Sequence, residues 1–229
     1  MSKIVWDATG QRKFETGVSK GVLYPVSADN QYTPGVPWNG LTGVTESPSG
    51  AELTDLWADG IKYASLRAAE IFGGTIEAYM YPDEFAECDG SAEPVDGVYL
   101  GQQKRKPFGF CYRSEIGNDV DGLENDKSYK LHLIYNATVN PSEKAYQTVN
   151  DSPDATTMSW EVNTTPVSVT GYKPVSLITI DSTKVKPESL AALEEILYGK
   201  NPTTESANDG VDPRLPMPDE VLGILKNAA

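Results

Sequence analysis

Histidine and cysteine are scarce in this sequence of 229 residues, which holds one histidine and two cysteines. Zinc sites need several such ligands, and any Ser–His–acid or Cys–His catalytic arrangement would have to use His132. That histidine falls mid-strand on the polar face of a predicted strand, and nothing in the sequence marks a nucleophile near it. Cys88 and Cys111 lie in unrelated contexts, which predicts two reduced, partly buried thiols and no disulfide framework.

Positive charge is also in short supply, with 19 Lys and Arg residues against 33 Asp and Glu and a formal net charge of −14. A surface of this kind repels phosphate backbones, so tight binding of nucleic acid is not expected. No apolar run approaches the length of a membrane-spanning helix, and the first residues lack the apolar stretch of a signal peptide. The sequence predicts a soluble protein that is made and folded in a cytoplasm.

The common fingerprints of enzymes are missing as well, since no G-x-S-x-G, P-loop or G-x-G-x-x-G motif occurs. Residues 118–126 carry the acids of a calcium loop, but their glycine comes too early for that pattern, so an acidic turn is expected. Paired carboxylates such as Glu77 and Glu161 stay open as an alternative for glycoside cleavage, without a positive signal. The sequence predicts a non-catalytic protein with no metal site and no cofactor.

Several segments of the chain alternate apolar and polar residues, which is the pattern of β-strands. In residues 156–162 (TTMSWEV) the side chains of Met158, Trp160 and Val162 share one face, as in a half-buried strand. Residues 129–139 alternate in the same way and form the clearest strand of the sequence. Pro166 interrupts the rhythm after the first of these strands, which predicts a bulge or a strand end. Together with 20 glycines and 16 prolines, these patterns predict a mainly β fold of many short strands.

A long segment rich in turn residues, 27–60, contains two tryptophans, which disordered linkers seldom do. Its apolar residues allow two interpretations. Either the segment is an ordered, projecting arm whose apolar side chains meet another molecule, or these side chains fold back onto their own core. The residues concerned are Trp38, Leu41, Val44, Leu53, Leu56 and Trp57.

Two strands, 61–66 and 75–81, are predicted to follow the arm and to pair with each other through a Gly-Gly turn. A short helix is predicted at 82–88, because proline and acids open it and glycine ends it; Phe85 and Cys88 would face inward.

A basic turn follows in this acidic chain, formed by Lys104, Arg105 and Lys106. It is either a solvated loop tip or a contact for an acidic partner, such as a neighbouring copy. Near the end of the chain, Pro187 and Pro218 each begin a short predicted helix. The first has an apolar stripe formed by Leu190, Leu193, Ile196 and Leu197. Both helices must dock, and the sequence leaves open whether they dock on their own sheet or on a neighbour.

A resemblance emerges from the order and spacing of several segments, none of which is specific alone. They are GVSKGVLY at 17–24, GLTGVTESPSGAE at 40–52, LWADGIKY at 56–63, GTIEAYMYPDEF at 74–85, the strand at 108–112, LIYNAT at 133–138 and TMSWEV at 157–162. Over residues 16–167 the chain resembles the phage major tail protein family, the tail tube subunits of long-tailed phages of Gram-positive hosts.

The resemblance implies a tail-tube-type β-sandwich or open barrel with a short flanking α-helix, a long projecting loop and C-terminal helices. Residues 1–16 would be a flexible N-terminal arm and 17–182 the β-domain, in which 27–60 is the loop between subunits. Residues 183–229 would be a helical extension.

The resemblance also implies self-assembly into hexameric rings that stack into a tube in the virion tail, through which DNA passes into the host without specific binding. The subunit would be made in the host cytoplasm. Its partners would be itself, a tape measure protein, a tail terminator and distal tail proteins. Contacts between subunits would use Trp38, Leu41, Val44, Leu53, Leu56, Trp57, Lys104, Arg105 and Lys106. The lumen would be lined by Glu70, Glu77 and Glu161.

A monomeric carbohydrate- or peptide-binding β-sandwich is the competing hypothesis. Exposed aromatic side chains can form a flat platform for a sugar, and this chain offers several candidates. The size of the protein in solution separates the two hypotheses, because a binding module stays monomeric. The platform would consist of Trp38, Trp57, Tyr63, Tyr79 and Tyr81.

Overall fold

The computed structural model describes residues 3–27, 29–32, 34–120, 122, 128–148, 155–202 and 210–227. Residues 121 and 123–126 of the acidic turn expected at 118–126 therefore lie outside the described residues. The strands are β1 (Lys13–Pro25), β2 (Val36–Pro37), β3 (Leu41–Glu46), β4 (Ser49–Gly50), β5 (Leu53–Ala58), β6 (Ile61–Arg67), β7 (Glu70–Ile71), β8 (Gly73–Ala78), β9 (Ala92–Val95), β10 (Val98–Leu100), β11 (Phe108–Asn118), β12 (Tyr129–Val139), β13 (Met158–Thr164) and β14 (Leu177–Asp181). The helices are α1 (Pro187–Tyr198) and α2 (Pro218–Asn227).

A large antiparallel sheet organises the chain, in the order β2-β1-β11-β12-β13-β8-β3, with β14 pairing with β12. The prediction of a mainly β fold is confirmed. Strand β12 spans the residues that the alternation indicated, and β13 ends at Thr164, just before the predicted interruption at Pro166. Among the described residues, no helix is both long and apolar enough to cross a membrane.

One face of this sheet encloses an aromatic core. Trp160 is fully buried, and Trp38 packs edge-on against it with ring centroids 5.7 Å apart. Phe85 lies 4.6 Å from the ring of Trp38, and the Trp38 Nε1–H donates a hydrogen bond to the Met80 carbonyl at 2.9 Å. Tilted and edge-to-face rings of this kind add about 0.5–1.5 kcal/mol each beyond their burial. The core therefore ties residue 38 firmly to strands β8 and β13.

The two helices cover part of the opposite face of the sheet, over β1, β11, β12 and β14. Leu190, Leu193 and Leu197 of α1 are buried against β11, β12 and β14, which confirms the apolar stripe predicted for this helix. Val221 of α2 is fully buried in the same cluster. The helices thus dock on their own sheet, and the segment expected as a helical extension, 183–229, contributes to the main fold where it is described.

The local structure differs from the expectation at two places. Strand β1 begins at Lys13 and pairs with β11 from there, inside the segment expected as a flexible arm at 1–16. The helix predicted at 82–88 is a single 3-10 turn, Asp83–Phe85, followed by further turns. Phe85 and Cys88 are nevertheless buried, as their inward positions predicted.

The predicted pairing of residues 61–66 with 75–81 is wrong. Strand β6 pairs with β5, whereas β8 lies between β3 and β13. The physical reason is the dipeptide Asp59-Gly60, whose φ angles of 50° and 76° fit the tight turn that the twist of two adjacent strands prefers. This local turn closes a hairpin before β8 is reached.

Candidate assembly surface

The arm hairpin, residues 49–71, connects β3 to β8 and lies outside the main sheet. It contains β4 to β7, in which β5 pairs with β6 and β4 pairs with β7. Among the described strands these four form no ladder with the main sheet. An isolated two-stranded hairpin is at best marginally stable in water. The arm hairpin therefore lacks the pairing with the main sheet that stabilises most other strands of the described chain.

The register of β5 and β6 gives this hairpin two unlike faces. Residues directly opposite each other in an antiparallel ladder share a face. The pairs Thr54–Leu66, Leu56–Ala64 and Ala58–Ile61 lie on one face, and the pairs Leu53–Arg67, Asp55–Ser65 and Trp57–Lys62 lie on the other. We call the first, with its five apolar members Leu56, Ala58, Ile61, Ala64 and Leu66, the apolar arm face.

The opposite face carries polar side chains that bond to one another. Asp55 Oδ1 accepts a hydrogen bond from the Ser65 hydroxyl at 2.7 Å and lies 2.8 Å from Lys62 Nζ. The hydrogen bonds from Lys62 and Ser65 lower the pKa of Asp55. These contacts fit a face in water, where ion pairs add little stability.

The apolar arm face is uncovered in the isolated chain. Ile61 is 65% exposed, Leu66 is 58% exposed and Leu56 is 42% exposed. Other large apolar side chains of the hairpin are exposed as well: Leu53 and Trp57 on the opposite face, and Tyr63 and Ile71. Single exposed leucines are normal, whereas large contiguous apolar patches are typical of interaction sites.

The residues predicted to contact a second subunit fall into two groups. Trp38 is only 3% exposed, and Leu41 and Val44 pack against the aromatic core, so these three fold back onto their own chain. The other three project with the arm hairpin: Leu53, Leu56 and Trp57. Ile61 and Leu66 fall outside the predicted set, because their strand, 61–66, was predicted to pair with residues 75–81. The Asp59-Gly60 turn is the signal that indicates their true position.

The basic residues predicted to pair with another subunit are largely engaged within the chain. Lys106 Nζ lies 2.5 Å from a carboxylate oxygen of Glu87. Arg105 donates a hydrogen bond to the Asp89 carbonyl at 3.0 Å. Lys104 is exposed. Contacts of this segment with a second subunit would therefore compete with existing pairs.

The acids predicted to line a lumen lie in two places. Glu77 of β8 and Glu161 of β13 lie on neighbouring strands. Glu77 lies opposite Ser159, two residues before Glu161, and both glutamate side chains are exposed on the face opposite to the aromatic core. Glu161 accepts a hydrogen bond from the Asn140 amide at 2.9 Å. Glu70 lies in β7, at the base of the arm hairpin. The first two therefore share one surface, which the helices leave uncovered.

A second exposed hairpin lies elsewhere in the sequence. Strands β9 and β10 pair with each other, with Val95 opposite Val98. Val95 is 64% exposed, and Val98, Tyr99 and Leu100 are each about half exposed. The part of the chain that the structure describes thus presents two separate hairpins with exposed apolar side chains, each outside the main sheet.

The fold also assembles a polar cluster that sequence spacing did not reveal. His132 Nε2 lies 2.9 Å from the Ser114 hydroxyl, and its Nδ1 lies 3.0 Å from Glu46 Oε1. Ser114 donates to Glu15 Oε1 at 2.6 Å, and the Tyr112 hydroxyl donates to Glu46 Oε1 at 2.6 Å. Both Ser114 and His132 are only 7% exposed, and the serine hydroxyl is already engaged by a carboxylate. The arrangement therefore binds four strands together and offers no accessible nucleophile.

No protein-family model and no curated protein matches this chain. Among solved structures it is similar to a chain described as "Cryo-EM Structure of an Extracellular Contractile Injection System, PVC sheath/tube terminator in extended state", with 12% identity, a TM-score of 0.29, and coverage of 70% of this chain and 93% of that chain. It is also similar to a chain of the PVC sheath-tube complex in the extended state, with 14% identity, a TM-score of 0.28, and coverage of 71% of this chain and 88% of that chain. At identities and TM-scores this low, neither similarity carries an argument about function.

Proposed function

We propose that this chain is a structural subunit of a phage tail tube, which assembles with copies of itself into hexameric rings that stack around a channel for DNA. The observation that carries the proposal is the apolar arm face, whose large members Leu56, Ile61 and Leu66 stay exposed on a hairpin outside the main sheet. In this proposal a neighbouring copy covers that face. The arm hairpin takes the place of the longer loop at 27–60.

Burial of the arm by a neighbour would supply the driving force for assembly. Each square ångström of apolar surface removed from water contributes about 25 cal/mol. The same contact would stabilise a hairpin that is marginal alone, because its strands would gain a packed partner. The arm and its cover therefore stabilise each other, as expected for a subunit that is complete only in the polymer.

Two different exposed hairpins on one subunit are compatible with two kinds of contact, one within a ring and one between stacked rings. When one surface binds a different surface of the next copy, the contact repeats around a ring or along a filament. One apolar hairpin would serve the contact within a ring, and the other, β9–β10, would serve the contact between rings. Lys104 would add charge complementarity at such a contact.

The acids on the uncovered face of the sheet would line the channel in this proposal. Glu77 and Glu161 share that face, and Glu70 lies at the base of the arm. A negative wall repels DNA phosphates, so the genome would slide through without binding. The formal net charge of −14 agrees with this role.

The remaining parts of the proposal follow from the same role. The subunit acts without catalysis and without a cofactor, is made in the host cytoplasm and ends in the virion tail. Its partners are other copies, a tape measure protein, a tail terminator and distal tail proteins. The β-domain at 17–182 would form the tube wall, and the helices within 183–229 would support its outer side.

The competing hypothesis of a sugar-binding module requires an exposed aromatic platform, which these five residues do not form. Trp38 is buried, and Tyr81 packs with its ring 5.7 Å from that of Trp160. Trp57 and Tyr63 lie on the arm hairpin, away from the end of β8 where Tyr79 lies. The five aromatic residues therefore do not form one flat surface.

Electron microscopy of the purified, concentrated protein tests the proposal. We expect rings or tubes whose formation increases with protein concentration, as apolar association requires. A protein that remains monomeric at every concentration and ionic strength, and that binds an immobilised glycan or peptide, would contradict the proposal and favour the binding module.

A further inference from the structure

The first described residues of the chain carry exposed apolar side chains. Ile4 is 68% exposed, Val5 is 73% exposed and Trp6 is 75% exposed. We call residues 3–7 (KIVWD) the leading segment, and it belongs to no helix or strand of its own chain. Side chains that are β-branched or aromatic favour extended strands. The leading segment is therefore suited to pairing with the open edge of a sheet.

The leading segment is attached at one end of the main sheet. The Gly10 amide donates a hydrogen bond to Asp119 Oδ1 at 2.9 Å, and Lys13 lies opposite Asn118 in the ladder of β1 and β11. A segment of five residues spans at most about 18 Å. The leading segment therefore stays near the Asn118 end of this ladder.

The hairpin of β9 and β10 is attached at the opposite end of the same ladder. Its base is closed by the Gln103 amide, which donates to the Gly90 carbonyl at 2.9 Å. The turn before the hairpin is held at the start of β11, because the rings of Phe85 and Phe108 pack with centroids 5.5 Å apart. The 11 residues of β11 span roughly 35 Å between the two ends. The partner within reach of the leading segment is therefore the hairpin of another copy.

Strand β10 of this hairpin has an open edge. It pairs with β9 on one side, and among the described strands it has no partner on the other. The free edge of β9 is less suited to pairing, because Pro94 cannot donate to a ladder. A two-stranded hairpin is marginal in water, whereas three strands with an apolar face can be stable. One added strand on β10 would therefore stabilise the hairpin that receives it.

The apolar side chains of the two partners match. Val98 and Leu100 lie on one face of β10, where Val98 faces Val95 of β9. In an extended strand, Ile4 and Trp6 also share one face. All five side chains are about half exposed or more. Pairing of the two edges places the apolar faces side by side and removes both from water.

The charges of the two partners are opposite. Residues 3–13 contain three basic residues and one acidic residue, whereas residues 82–100 contain six acidic residues and no basic one. Two of these six acids pair with Arg105 and Lys106, and the exposed Lys104 offsets a third. The four exposed acids outside those two pairs are Asp83, Glu84, Glu93 and Asp96. Opposite charges guide the approach of the two surfaces and suppress pairing of like with like.

We propose that the leading segment of one copy adds as a third strand to the β10 edge on the next copy of this chain. Main-chain hydrogen bonds along the edge give such a contact its affinity, and alternate side chains give it specificity. Because the two surfaces lie at opposite ends of the subunit, the contact repeats from head to tail. The contact deepens the proposed assembly and rests on it, since it names the surfaces that join one ring to the next.

A pair of cysteines tests the contact in the full chain. Val5→Cys and Tyr99→Cys place one thiol on each partner, on the faces that point away from the apolar contact. Burial raises the pKa of the native thiols of Cys88 and Cys111 to about 12, so they do not compete for a thiol reagent. With a short bismaleimide we expect a ladder of covalent oligomers, because each copy links to two neighbours. A link within one chain, or no link, would overturn the proposal.

The matched control combines Val5→Cys with Tyr172→Cys. Tyr172 is 68% exposed and lies outside the hairpin, so this variant has the same number of accessible thiols. It should give no ladder under the same conditions. Equal ladders from both variants would mean that the thiols meet by random collision, and the assignment of the β10 edge would be wrong.

The double variant Ile4→Ser with Trp6→Ser separates this contact from the formation of rings. In electron microscopy we expect rings at the wild-type concentration, while tubes should need at least about tenfold more protein, because two apolar side chains no longer become buried. Tyr146→Ser with Tyr172→Ser changes two exposed side chains elsewhere and should stack like the wild type. Tubes of the first variant at the wild-type concentration would overturn this contact alone. A wild-type chain that forms neither rings nor tubes would overturn the proposed function with it.

Discussion

Replacing Ile61 and Leu66 together by serine removes the two most exposed large side chains of the apolar arm face. They are 65% and 58% exposed, and neither belongs to the two buried cores. The main sheet should therefore keep its stability within about 0.5 kcal/mol, as for surface substitutions in general. The change acts on assembly and leaves the fold of the isolated chain in place.

The expected loss in assembly follows from the surface that a neighbour would cover. Full burial of one such side chain contributes about 1.5–3 kcal/mol. Since roughly three fifths of each side chain is still exposed, covering both contributes about 2–4 kcal/mol for each contact between subunits. This corresponds to a roughly 30- to 800-fold weaker association. Sedimentation velocity over a range of concentrations measures the shift directly.

A matched control uses the neighbouring positions on the other face. Lys62→Ser with Arg67→Ser makes the same number of changes in the same strand, at side chains that point the opposite way. Measured at high ionic strength, which screens the lost charges, this variant should assemble like the wild type. Equal assembly of the Ile61/Leu66 variant and the wild type, or equal failure of both variants, would refute the assignment of this face.

Two further predictions concern the core. Trp160→Ala should destabilise the chain by about 3–5 kcal/mol, because it empties the aromatic core, whereas Trp57→Ala should change the stability by less than about 0.5 kcal/mol; urea unfolding compares the two, and similar losses would contradict the assignment of the tryptophans. Burial raises the pKa of Cys88 and of Cys111 to about 12, so neither thiol forms the reactive thiolate near pH 8. A thiol-specific reagent should modify them only after denaturation, and rapid modification of the native protein would disprove their burial.

Local periodicity was enough to predict several elements. The alternation in β13 identified its buried face, and the apolar stripe of α1 identified the side of the helix that is buried. The alternation in β12 identified a strand, but this strand is buried on both faces, with Leu133 in one core and Ile134 in the other. Such patterns are properties of neighbouring residues, and the strand and helix periods convert them directly into faces. The inward positions of Phe85 and Cys88 followed in the same way, even though their helix is a single 3-10 turn.

Strand partners were harder to predict, because a partner can come from any distance along the chain. Trp38 and Trp57 stand in the same turn-rich segment, yet one is buried and the other is 67% exposed. The difference lies in which strands pack against each tryptophan. Strands β8 and β13 complete a core around the first, whereas the hairpin of the second pairs only with itself among the described strands.

The polar cluster shows the same limit at longer range. His132 contacts Glu15, Glu46 and Ser114, which lie on three other strands. No spacing in the sequence relates these positions, because only the order of strands in the sheet brings them together. The sequence therefore contains no local signal for the partners of His132.

The sequence by itself determined the class of fold, the buried face of β13 and the acidic character of the chain, since these depend on composition and on neighbouring residues. Tertiary structure alone decided which apolar side chains remain uncovered. That outcome depends on long-range pairing, which encloses one tryptophan in a core and leaves the apolar arm face, with Ile61 and Leu66, exposed to solvent.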